Sequence, residues 1–304
     1  MRILSLMLLF LLPLTLPVFA AQPAVVAFAQ DTLANDFRKH QVLEARKTAA
    51  DYPEIRFIYS DARGRTSLLI NQIETYIKQQ VDVLIIGTND AQAVVPVVEK
   101  AHQAGIKVII LDRGVNTDQY TTFIHSDNTA IGHLAGRYIA DQLQGKGKVL
   151  LLEGIQSADV THQRTRGFMT AMSYYPEIQV IKRTGNFLRK DALRVTEKLL
   201  NDGIEVDAIF SESDSMLSGV RAVLYKHHIS PSSIITVGCD YISEAKAAIL
   251  KGEQTASVYF PLGGKAAIDA ALRIIRGQPV AHKYLIGADL LVTRDNAPDI
   301  APVF

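Results

Sequence analysis

Residues 105–114 read Gly-Ile-Lys-Val-Ile-Ile-Leu-Asp-Arg-Gly, and the fold turns on how they are read. The unbroken run Val108-Ile109-Ile110-Leu111 suits a parallel strand covered on both faces better than a strand with one face in water. It stops at Asp112-Arg113-Gly114. A second apolar pair, Phe123 and Ile124, leads into Ser126-Asp127-Asn128. In open α/β sheets, ligands bind beyond the carboxyl ends of the strands. An acid beside a guanidinium at such an end suits neighbouring hydroxyls, because Asp112 accepts while Arg113 donates two parallel bonds. A strand-end ion pair with no ligand is the competing reading of the same two residues.

Working outward, strand and helix alternate on both sides. Towards the N-terminus the strands are read at 25–29, 55–59 and 81–86, with helices at 36–50, 66–79 and 91–104; Gly105 stops the last of these. Beyond Asp127 the pattern restarts. Helices are read at 129–142, from Arg164 to Ser173, and at 190–201, 216–227, 243–250 and 261–276. Strands are read at 147–153, 178–182, 206–210, 234–238 and 255–259, and the segment 283–292 completes a sheet edge. Two such runs of similar size predict two doubly wound parallel-sheet lobes. The break near Asp127 follows from the restart, since no low-complexity linker marks it.

Composition bounds the rest. A chain of 304 residues with 48% hydrophobic content can bury one large core or two smaller ones. A net charge of +1 gives no electrostatic case for nucleic acid. Cys239 is the single cysteine, so no internal disulfide can form. Residues 1–21 read as a signal peptide. Arg2 is the basic start, residues 3–12 are the apolar region, and Val18-Phe19-Ala20-Ala21 supplies the small residues of a cleavage site near Ala20. An uncleaved anchor is the other reading, although Pro13 and Pro17 break the run and it is short for a bilayer span. Export to the periplasm is expected.

Several motifs, taken in order, carry a resemblance. They are Leu111-Asp112-Arg113, then Ser126-Asp127-Asn128, then Glu153-Gly154 with Arg164 and Gly167-Phe168. Ser213-Asp214-Ser215-Met216 and Val237-Gly238 before Asp240 complete the series. The series resembles the type I periplasmic sugar-binding proteins of the ribose/galactose group, over nearly the whole mature chain. Asp36-Phe37-Arg38 is similar to the Gly-Trp-Arg turn of the galactofuranose-binding branch. The resemblance implies two α/β lobes joined by three hinge crossings, near Asp127, Phe260 and Gly287. The N-terminal lobe would hold 22–126 plus 261–286, and the C-terminal lobe 127–260 plus 287–304. It implies ligand contacts from Phe37, Arg38, Asn89, Asp112 and Arg113 on one side, and from Arg164, Phe187, Ser213, Asp240 and Phe260 on the other. Phe187 would cover a sugar ring, and Arg164 would grip hydroxyls. The implied function is capture of a monosaccharide by hinge closure, as a monomer, for delivery to an inner-membrane ABC permease. The alternative is a ligand-sensing partner of a histidine kinase or chemoreceptor. Asp112 and Asp240 would repel across an empty closed slot, so ligand-stabilised closure is expected.

The sequence departs from that pattern in places. Gly87-Thr88-Asn89 stands where the ribose proteins place Asn directly, Cys239 where an aromatic is common, and Phe260 where Gln often lies; the chain has no Trp. Other chemistry reads weakly. Cys239 has no evident base beside it. His125, His133 and His162 are not spaced as a zinc set. Glu153 and Asp159 offer the acids of a glycosidase pair without a defined separation. No nucleotide-binding or nucleophile-elbow motif is present, so the expectation is neither an enzyme nor a cofactor protein.

Overall fold

The computed structural model of the chain describes residues 22–287 and 290–304; the signal-peptide reading of 1–21 lies outside the described residues. In chain order the strands are β1 (Ala24–Gln30), β2 (Ile55–Asp61), β3 (Val83–Gly87), β4 (Lys107–Leu111), β5 (Thr122–His125), β6 (Lys146–Glu153), β7 (Glu177–Thr184), β8 (Ala208–Ser211), β9 (Ile235–Asp240), β10 (Ala256–Tyr259), β11 (Lys283–Leu285) and β12 (Leu291–Thr293). The helices are α1 (Asp36–Ala49), α2 (Thr66–Lys78), α3 (Val95–Gln103), α4 (Asn128–Gln142), α5 (Asp159–Met172), α6 (Arg189–Asn201), α7 (Asp214–Lys226), α8 (Ser243–Lys251) and α9 (Gly264–Ile275). One sheet has the order β2-β1-β3-β4-β5-β11 and is parallel throughout. The other has the order β7-β6-β8-β9-β10-β12 and is parallel except for β12.

The apolar runs explain why each sheet is covered twice. Along β1, Val26 and Phe28 face one core while Ala27 and Ala29 face the other; Val83 and Ile85 of β3 part from Leu84 and Ile86 in the same way. In the second sheet, Val149 and Leu151 of β6 pack towards α4 and α5, and Leu150 and Leu152 towards α7. A strand buried on both faces needs no polar alternation. Helix α9 comes late in the chain yet seals the first sheet beside α1. Its Gly264 lies so close that a Cβ there would sit 2.3 Å from the Gln41 carbonyl.

The chain passes between the sheets three times: after β5, after β10, and between β11 and β12. The segment 283–292, expected as one sheet edge, divides between both sheets. β11 leaves the first sheet at its carboxyl end, which faces the carboxyl end of the second. β12 therefore enters the second sheet from that end and must run antiparallel to β10. Three helix starts also differ from expectation: α9 begins at Gly264 and not at 261, and α3 and α5 differ by more. α3 begins at Val95 because Asp90 first closes a turn, its Oδ1 accepting from the Gln92 and Ala93 amides. Pro96 then stands in the first helical turn, where no hydrogen bond is lost. α5 begins at Asp159, five residues before the expected start at Arg164, because Thr161 turns its hydroxyl back to the Ile155 carbonyl and an acid suits the first turn.

Candidate ligand-binding site

The carboxyl ends of the two sheets face each other across a slot that is nearly shut, with a cavity of about 20 Å³. Ligand sites usually enclose roughly 300–1,000 Å³, so a ligand needs this slot wider than it stands here. Asn35, Phe37, Arg38, Asp112, Arg113, Val160, Arg164, Phe187, Ser213, Asp240 and Phe260 line it. Nine of the ten residues expected from the sequence are in that lining. Asn89 stands apart: its carbonyl accepts the Ser157 hydroxyl at 2.6 Å and its side chain meets Thr66 at 3.4 Å. Asn35 and Val160 were not among the expected contacts. Asn35 was legible as a helix N-cap, since it precedes the first helical residue. Val160 carries no such signal, because its surroundings in sequence read as a loop.

The first lobe supplies a buried charged cluster. Asn35 caps α1, accepting the Arg38 amide at 2.9 Å. This seats Phe37 and Arg38 in the first turn. Arg38 Nη1 then reaches Asp112 Oδ2 at 2.9 Å and Gln41 Oε1 at 2.8 Å. Asp31, at the exit of β1, holds Arg113 Nη1 at 3.2 Å. Burial first, and then the neighbouring Arg38, pull the Arg113 guanidinium down to about 10, so it stays charged at neutral pH. Asp112 adopts φ +68°, a left-handed backbone. An Asp tolerates this conformation better than most side chains, through its short polar group.

The second lobe answers with a guanidinium, an acid and aromatic rings. Arg164 donates from Nε to Asn128 Oδ1 at 2.8 Å and from Nη1 to the Glu212 carbonyl at 2.6 Å. Its guanidinium lies 4.6 Å from the Phe260 ring centre and 5.9 Å from that of Phe187, while Arg113 approaches the Phe187 ring to 5.0 Å. Phe37 packs on Phe260 at 5.2 Å. Phe187 is held at φ +58°, and Gly154 makes room for it: a Cβ on Gly154 would lie 1.9 Å from the ring. Ser213 is not free to contact ligand with its full capacity, because its hydroxyl caps α7 by accepting the Met216 amide.

The expected repulsion between Asp112 and Asp240 is relieved within the protein. Asp112 has Arg38 against it. Burial pushes the Asp240 carboxyl well above its usual range, Asp214 and Asp112 push the same way, and Arg164 opposes them. The slot thus combines charged forks, two acids and three phenyl rings. Three buried polar atoms of lining residues have no partner in the protein: Arg38 Nη2, Asp112 Oδ1 and Arg113 Nε. Native proteins seldom leave such groups unpaired, because each costs about 1–3 kcal/mol.

Other candidate chemistry resolves differently. Cys239 is fully buried in the apolar core under β9, and burial drives its thiol well above its usual range. Glu153 accepts the Thr165 hydroxyl and Asp159 the Gly114 amide, so the two acids serve separate partners. Among the described residues no group of three or more His, Cys, Asp or Glu side chains is placed to hold a metal ion.

Two doubly wound lobes closed on a small polar slot define a two-lobed binding protein. The periplasmic binding protein domain family matches residues 26–279, and the chain belongs to this family. It is 31% identical over 261 residues to the ribose import binding protein RbsB of Bacillus subtilis, covering 84% of this chain and 83% of that one. It is 26% identical over 289 residues to the galactofuranose-binding protein YtfQ of Escherichia coli, covering 92% and 91%. Among solved structures, an ABC transporter solute-binding protein from Bacillus halodurans with bound myo-inositol superposes with a TM-score of 0.86 at 26% identity, covering 93% of this chain and 98% of that one. These relatives are binding proteins, and the chain is one of the ribose/galactose group of type I sugar-binding proteins.

Proposed function

We propose that this protein is a periplasmic receptor that captures a monosaccharide between its lobes and delivers it to an inner-membrane ABC permease. The observation that carries the reading is the trio of unpaired buried atoms on Arg38, Asp112 and Arg113, beside three phenyl rings. A sugar offers hydroxyls to the first and an apolar ring face to the second. Residues 1–21 act as the export signal. The moving bodies are 22–126 plus 261–286 and 127–260 plus 287–304, and the ligand stabilises their closure, the motion characteristic of this class of protein. The ligand contacts are Phe37, Arg38, Asp112, Arg113, Arg164, Phe187, Ser213, Asp240 and Phe260, with Asn35 added; Asn89 acts at the rim. A ligand missing a hydroxyl would leave a buried partner unpaired and bind worse.

A thermal-shift screen of pentoses, hexoses, their furanose forms, cyclitols and short diols tests the reading. A true ligand at about a hundred times its Kd stabilises the protein by about 2.7 kcal/mol. No shift with any of them would overturn it. Reconstitution with a permease, set against a histidine kinase or chemoreceptor from the same cell, then assigns the membrane partner.

A further inference from the structure

We infer that Asp214 is the positioning residue of this site: from beneath β9 it holds the strained Asp240–Tyr241 backbone so that the Asp240 carboxyl reaches the slot. The inference rests on the reading of Asp240 as a ligand contact. Asp214 itself does not line the slot and has no exposed surface.

The backbone it holds is unusual. Asp240 has φ +110° and Tyr241 φ +61°, two successive non-glycine residues in a region that L side chains avoid. Such residues are strained and persist only where the surroundings over-determine them. The Asp214 carboxylate is chief among the surroundings, beside Ser257 Oγ, which also accepts the Tyr241 amide at 3.1 Å, and the Val303 amide, which donates to the Tyr241 carbonyl at 3.0 Å. Asp214 Oδ2 accepts the Tyr241 amide at 2.7 Å and the Ser257 hydroxyl at 2.6 Å, and its Oδ1 accepts Gln254 Nε2 at 2.7 Å. Gln254 cannot turn over, because its Oε1 already accepts Arg221 Nη1 at 2.6 Å. Every partner of the carboxylate is therefore a fixed donor or a hydroxyl turned towards it. Gly238 on β9 is part of the same device: a Cβ there would lie 1.8 Å from Asp214 Oδ1, so only glycine lets the carboxylate come this close.

The donor pattern makes a sharp test. Asp214→Asn keeps the shape but puts an NH2 group against either Gln254 Nε2 or the Tyr241 amide. Adding Gln254→Glu supplies an acceptor opposite that NH2 group and keeps a partner for Arg221, although it gives up the bond from Gln254 Nε2 to the Ala256 carbonyl at 3.0 Å. The wild type, Asp214→Asn and the double variant are titrated calorimetrically with D-ribose, L-arabinose and myo-inositol. Exchange of the Tyr241 amide is followed by NMR in the same three proteins. The single variant is expected to lose about tenfold or more in affinity, the loss that goes with one broken charge-assisted bond, and to exchange the Tyr241 amide faster; the double variant is expected to recover part of both. An unchanged Tyr241 exchange rate in Asp214→Asn overturns the inference, as does wild-type affinity for a sugar that the wild type binds. If the wild type binds none of the three, the sugar reading fails for them, and the exchange rate alone still decides the role of Asp214. Should Asp214→Asn not fold, Gln254→Ala takes its place. It removes the donor to Asp214 Oδ1 and leaves both acceptors of the Tyr241 amide, and an unchanged Tyr241 rate there is equally fatal.

Discussion

At the scale of single residues, the slot is a set of buried charges whose partners are mostly supplied within the protein. Arg38 sits between Asp112 and Gln41 with one nitrogen left over, and Asp112 keeps one oxygen spare. Asp112→Asn preserves the left-handed backbone and removes only the charge. It should weaken sugar binding about tenfold or more while the fold persists, since hydrogen bonds to charged groups are worth about 1.5–3 kcal/mol; calorimetry giving the wild-type Kd would remove Asp112 from the site. Glu212 makes a second residue-scale test. It is fully buried behind Arg164, accepting the Gly154 amide at 2.8 Å, with the Thr165 hydroxyl oxygen 3.0 Å away and shared with Glu153. Burial pushes its carboxyl from 4.5 up to about 8, although Gly154, Arg164 and Thr165 all pull it down. The folded protein thus holds this proton more tightly than the unfolded chain. The associated stability is fully present below pH 4.5 and is lost as pH rises through about 8. Glu212→Gln cannot lose a proton, so its stability relative to wild type should improve across that window, by on the order of a few kcal/mol. Parallel pH profiles of the two melting temperatures would contradict this.

At the scale of elements, the contact between α4 and α5 aims Arg164. The two helices touch backbone to backbone through Gly132, Gly136 and Gly167. A Cβ on Gly132 would lie 1.9 Å from the Arg164 carbonyl, and one on Gly167 would lie 2.0 Å from the Thr129 carbonyl. That closeness lets Asn128, the first residue of α4, take the Arg164 Nε. Gly167→Ala should gain about 1 kcal/mol of helix propensity. It should lose more by prising the helices apart, since overpacking costs about 1–3 kcal/mol and the obstacle is backbone that cannot turn aside. A lower urea midpoint is expected, together with weaker sugar binding through a displaced Arg164. A raised midpoint with normal affinity would show that the helices yield freely.

At the scale of the whole molecule, the lobes also meet outside the slot. Asp36 of α1 receives Arg189 of α6 at 3.2 Å and the Ser215 hydroxyl of α7 at 3.1 Å, and Arg189 continues to Glu244 at 2.7 Å. The His40 ring stacks on Phe304 at 4.0 Å, and Asn35 Nδ2 donates to the Phe187 carbonyl at 2.7 Å. None of these bonds needs ligand, so each adds to closure independently of sugar chemistry. Asp36 and Arg189 are partly in solvent, and such a pair contributes about 0.2–1 kcal/mol. Asp36→Asn should therefore speed sugar release by a few-fold in stopped-flow measurements while ligand selectivity stays as it was. Release at the wild-type rate would mean that the pair adds nothing to closure.

What the sequence alone determined about this protein was the repeating unit and its functional edge. Runs such as Val108–Leu111 and Val149–Leu152 demand cover on both faces, and residues just beyond such strands face a slot; Asp112 and Arg113 were legible on those grounds, Asp240 and Phe187 by resemblance alone. The tertiary structure decided what depends on contacts distant in sequence. These include the division of 283–292 between two sheets, the Asn35 bridge to Phe187, the glycine contact behind Arg164, and the partners that neutralise Asp112 and clamp Tyr241. The physical reason is range: periodicity records which face of an element avoids water, whereas hydrogen bonds between residues 27 to 152 positions apart form only once the sheets, helices and lobes have met.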